Sequence, residues 1–219
     1  MSTLTNDVWE SLETWRVKAF FASGVMFVVA AALTVASIVG GAERLSLMVG
    51  EAFIGAGWLG GVIGLLGLYS GLADRHRWFV RAGAAFAVIG AVTFVVLAIA
   101  SLIAYFQGGG VGDLPVPFIF LFPGLVIGSL LAFLSFSVAS LRSDVHSRTL
   151  GILLLVPALI FLINFFIVPM AFGVGPNPPE VIFVVQSGLV LVMLALGYVL
   201  RTENMPTVGA EPAAEPATK

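Results

Sequence analysis

Two short motifs carry the only histidines of the chain, Asp74-Arg75-His76 and Asp144-Val145-His146. An imidazole beside a carboxylate can exchange a proton near neutral pH, and two such pairs brought together would offer ligands for a divalent metal. Ser70 and Ser140 precede the motifs, so Ser, Asp and His recur at an offset of 70 residues. That recurrence would suit a parallel internal repeat, one way of building transporters. Asp and Ser are also favoured N-cap residues, and His and Arg suit a membrane interface. Capping accounts for both turns without a ligand, and we expect no metal and no cofactor.

Other reactive arrangements are missing from the sequence. Gly67-Leu68-Tyr69-Ser70-Gly71 lacks the Gly-x-Ser-x-Gly spacing of a serine nucleophile, and no carboxylate outside the same loop is placed to orient His76. There is no HExxH or Walker sequence. Gly108 to Gly110 are followed by nothing that resembles a phosphate-binding strand, loop and helix. Without cysteine there is no thiolate chemistry and no disulfide. The reading is a protein that is not an enzyme.

The elements that position these residues follow from composition. Of 219 residues, 59% are hydrophobic and 10% charged, with a mean hydropathy of +1.09, whereas soluble domains are about 25% charged. Six apolar blocks free of Asp, Glu, Lys, Arg and His run over residues 19–40, 52–72, 82–106, 118–141, 150–172 and 181–200. Each reaches the ~20 residues that cross ~30 Å of hydrocarbon as a helix. The expected fold is all-α: a polytopic integral membrane protein, a bundle of six transmembrane helices.

Basic residues set the expected orientation, because Lys and Arg collect on the cytoplasmic side. With the N-terminus inside, Arg16, Lys18, Arg75, Arg77, Arg81, Arg142, Arg148, Arg201 and Lys219 lie inside and only Arg44 outside. Both termini are then cytoplasmic, and the plasma membrane is the expected location. A formal charge of −2 lacks the basic excess of a nucleic-acid binder.

Three regions result: an N-terminal amphipathic segment over 1–16, a six-helix transmembrane domain over 17–201 and a cytoplasmic tail over 202–219. In the first, Leu4, Val8, Leu12 and Trp15 share a helical stripe with acidic residues between them, which suits lipid contact, partner docking or capping of the bundle. The tail is rich in Pro, Ala and Glu and is expected to be disordered.

Within the spans, small and polar residues carry the information. Gly57, Gly60, Gly61, Gly64, Gly67 and Gly71 crowd the second span. Helices in lipid associate through close van der Waals approach, so this span is expected to be the central one. Gly83, Ala87 and Ala91 in the third span and Gly124, Gly128 and Ala132 in the fourth offer small faces for packing or for a dimer. Asn164 and Gln186 lie about a turn apart in depth on neighbouring spans, as a polar pair that either holds helices together or contacts a solute. Pro157 is expected to bend the fifth span by freeing the carbonyl of Leu153.

These features favour a non-enzymatic accessory, assembly or scaffold subunit, surrounded by the lipid bilayer and joined to a membrane protein partner or to copies of itself. The alternative is a permease or channel for a neutral or weakly polar small solute.

Overall fold

A computed structural model describes residues 2–40, 44–107, 121–168, 170 and 179–203. The loop readings over 41–43, 108–120 and 171–178, the terminal prolines Pro117 and Pro169, and residues 204–219 of the tail lie outside the described residues, as do the side chains of Leu4 and Val8.

The described chain is helical: α1 (Ser2–Gly40), α2 (Arg44–Leu66), the short α3 (Tyr69–Ala73), α4 (Arg77–Phe106), α5 (Leu121–Arg142), α6 (Arg148–Leu162) and α7 (Pro179–Glu203). A π-helical turn, Ile163–Ile167, extends α6. Six helices are long and apolar enough to cross a membrane.

Those six form a closed ring in chain order. α1 packs on α2, α2 on α4, α4 on α5, α5 on α6, α6 on α7, and α7 returns to α1. The seams α1–α2, α4–α5 and α7–α1 are the most extensive, and α2–α4 and α6–α7 are the slightest of the six. Phe20, Phe27, Leu65, Phe133, Phe136 and Met193 are fully buried and fill the middle. The outward faces keep exposed Val, Ile and Leu, most continuously along α4, as expected where the surrounding solvent is lipid.

Small residues determine which seams are tight. Gly57, Gly60, Gly64 and Gly67 form one stripe against α1: a β-carbon there would meet Phe27, Ser23, Phe20 and Arg16 respectively. Gly61 instead faces Met193 and Phe133, and Gly71 faces His146 and Val145. The small faces of α4 and α5 meet each other, with Gly128 against the backbone of Gly90 and Gly83 against Ser135 and Phe136. Van der Waals approach of this kind is the main source of helix association in lipid.

Two expectations are corrected here. The second span is not the central helix, because a ring has none. α5 is the most enclosed, half of its apolar window being buried against a third of that of α2. Nor does the second span continue to residue 72. Its helix ends at Leu66, turns through Gly67 and Leu68, and resumes as α3. At that turn a β-carbon on Gly67 would lie 2.6 Å from both the Cβ of Arg16 and the carbonyl oxygen of Leu12, and Trp9 stacks on Tyr69 at 4.3 Å between ring centroids.

The same contacts place the amphipathic segment. It is continuous with the first span in one 39-residue helix, roughly 58 Å long at 1.5 Å per residue and so longer than the bilayer core. Its first turns dock on the α2–α3 junction, where Ser70 Oγ donates to Glu13 Oε2 at 2.7 Å and Glu13 pairs with Arg16 at 3.6 Å.

Candidate functional site

The termini of the described helices share one end of the bundle, since α1 and α7 run antiparallel with Gly24 beside Leu194 and Phe21 beside Gly197. Toward the opposite end lies a cavity of about 230 Å³. α2 supplies Glu51, Ile54 and Trp58 to its wall, α6 and its π-helical turn supply Phe161 and Asn164, and α7 supplies Ile182 and Gln186.

A backbone irregularity borders this space. Pro157, buried inside α6, has no N–H to give to the carbonyl of Leu153. The helical path continues past it, and the ladder widens six residues later, where the Val168 N–H bonds the Ile163 carbonyl, five residues back. Such π turns insert an extra residue and are frequent at functional sites. Here the turn contains Asn164.

Trp58 organises the inner wall. Its ring lies 4.0 Å from Phe161, 5.5 Å from Phe27 and 6.0 Å from Phe133, so one side chain ties α2 to α6, α1 and α5. Phe161 continues the stack to Phe165 at 5.6 Å. Glu51 is exposed at the rim.

Asn164 and Gln186 thus line one cavity, while the hydrogen bond found at Gln186 runs to a third helix: Thr34 Oγ1 and Gln186 Oε1 are 3.0 Å apart. Thr34 also lies 3.0 Å from the carbonyl of Ala30. Gln186 is 2% exposed, and its Nε2 has no hydrogen-bond partner among the described residues. A buried donor left unpaired costs about 1–3 kcal/mol. No family model, curated protein or solved structure matches this chain.

The wall of the cavity is thus largely apolar and includes the side chains of Asn164 and Gln186. Elsewhere in the spans Ser23 Oγ donates to the Gly57 carbonyl at 2.6 Å and Ser137 Oγ to the Gly151 carbonyl at 2.7 Å, while the buried Ser140 Oγ has no hydrogen-bond partner among the described residues.

The Asp-x-His turns lie at the other end. The structure brings them side by side, with Arg75 3.6 Å from Asp144 and Gly71 against His146. His146 Nδ1, however, engages Glu203 Oε2 at 2.8 Å, and the other oxygen of Glu203 accepts the Ser147 N–H at 2.9 Å. Ser147, not Asp144, caps α6 by accepting from the Leu150 N–H at 3.3 Å. This arrangement clamps the end of α7 to the α5–α6 turn. Among the described residues no group of three or more His, Asp or Glu side chains converges as a metal site requires.

Three contributors escaped the sequence reading. Thr34 could have been found by depth, lying about as far below the Gly40 end of α1 as Gln186 lies below the start of α7. Glu51 sat just outside its apolar block, and Trp58 had no polar neighbour in sequence to mark it.

Proposed function

We propose that this chain is a non-enzymatic subunit of a membrane assembly, with both termini in the cytoplasm and the plasma membrane as its location. One observation carries the reading: the middle of the ring is filled by Phe20, Phe27, Phe133, Phe136, Leu65 and Met193, and Ser23 and Ser137 are committed to neighbouring helices. Such an interior favours a rigid body that presents its outer surface. The orientation rests on eight basic residues of the described chain at the terminus end against Arg44 alone at the other.

Native mass spectrometry of the full chain, tagged at its C-terminus and released from its own membrane in mild detergent, tests the reading. The expected result is a stoichiometric second polypeptide. A lone monomer or homo-oligomer refutes it.

The cavity with Asn164 and Gln186 favours a second reading, a permease for a neutral solute. In a chain free of cysteine, Asn164→Cys supplies a single thiol. Labelling by a membrane-impermeant maleimide supports this reading, and protection speaks for packing.

A further inference from the structure

The cavity beside Gln186 has the build of a binding site. An engineered void of about 150 Å³ accepts benzene, so the 230 Å³ found here has room for roughly eight to ten non-hydrogen atoms by the same proportion. Its lining is dominated by Ile54, Trp58, Phe161, Ile182 and Leu189, which suits an apolar body and makes a buried charge costly. None of its lining residues is basic, so it offers an anion no counter-charge.

Hydrogen arithmetic at Gln186 narrows the polar end of the occupant. Thr34 has one hydroxyl proton but two acceptors at 3.0 Å, the Ala30 carbonyl and the Gln186 amide. If the proton goes to Gln186, the amide keeps Oε1 toward Thr34, and Nε2 needs an acceptor. If it goes to Ala30, the amide turns its NH₂ to Thr34, and Oε1 needs a donor. A hydroxyl both donates and accepts, so it completes either arrangement, whereas a hydrocarbon completes neither.

We propose that this cavity binds a neutral, membrane-soluble alcohol, whose apolar body lies along Trp58 and Phe161 and whose hydroxyl pairs with the Gln186 amide. Such binding requires no partner polypeptide, so it and the subunit reading can fail independently.

The test uses the full chain in lipid nanodiscs. Of its four tryptophans, Trp9, Trp15 and Trp78 are replaced by Phe, leaving Trp58 on the cavity wall as the sole reporter. The probe is 8-bromo-1-octanol, whose bromine quenches an indole on contact, set against 1-bromooctane, which lacks the hydroxyl. Expected is saturable quenching at least about tenfold tighter for the alcohol, a difference that a buried hydrogen bond readily supplies. Gln186→Leu removes the alcohol's advantage, and Ile182→Phe, which fills the cavity while keeping the amide, removes saturation for both probes. Should Gln186→Leu fail to fold, Ile182→Phe decides alone. Quenching that rises without saturation, as partition into lipid gives, overturns the proposal. So does equal affinity for the two probes, or an alcohol preference that survives Ile182→Phe.

Discussion

Gly128→Ala places one methyl group where two helix backbones cross. The new β-carbon would lie 2.9 Å from the amide nitrogen of Gly90, 3.0 Å from the carbonyl oxygen of Phe86 and 3.1 Å from the Gly90 Cα. Ordinary contact begins at roughly 3.5 Å, so α4 and α5 must part by about half an ångström along one of the ring's tightest seams. These three nearest atoms are all backbone, and no side-chain rotation relieves them. Overpacking of a close-packed site costs about 1–3 kcal/mol, and the better helix propensity of Ala returns up to about 1 kcal/mol. The expected net loss is about 1–2 kcal/mol. Gly61→Ala is the matched control, because its β-carbon would meet the flexible end of Met193 at 3.3 Å. That methyl can swing aside, so the change should stay within about 0.5 kcal/mol. Reversible unfolding by sodium dodecyl sulfate in mixed micelles measures both. Equal effects of the two substitutions, or a Gly128→Ala variant as stable as the parent, would refute the claim that backbone contact rather than glycine content sets these seams.

Three further outcomes are expected. Thr34→Val and Gln186→Leu should show coupling of about 0.6 kcal/mol, and at most about 1.7, in a double-mutant cycle of the same unfolding reaction; strict additivity would deny the hydrogen bond between them. Trp58→Ala should cost about 3–5 kcal/mol, since it opens a void between four helices, whereas Trp58→Phe, which keeps a ring there, should cost less than half of that; unfolding midpoints decide. Glu203→Ala should cost only about 0.5–1 kcal/mol globally while speeding hydrogen exchange at the Ser147 amide, which loses its 2.9 Å acceptor; unchanged exchange there would mean that the clamp of α7 onto the α5–α6 turn does not hold in solution.

Much of the fold was legible in the sequence, and the reason is physical. Charge cannot be left in hydrocarbon, so six uncharged blocks announce six helices whatever their arrangement. Close approach between helices needs small residues, so the glycines of α2 and the small faces of α4 and α5 were readable as packing surfaces. Which partner each surface takes was not. Gly57, Gly60, Gly64 and Gly67 could have met any helix, and only the closed ring assigns them to α1. Asn164 and Gln186 stood out as polar residues in apolar spans, yet the bond found at Gln186 goes to Thr34, separated from it by 152 residues. The cavity itself has no sequence signature. It arises because a π turn after Pro157, a tryptophan on α2 and a glutamine on α7 reach the same depth. Local chemistry determined that this chain enters a membrane, and where its helices can touch. The ring order, the break at Gly67 and the site beside Gln186 were decided by tertiary packing, because they depend on distances between residues that the linear chain keeps far apart.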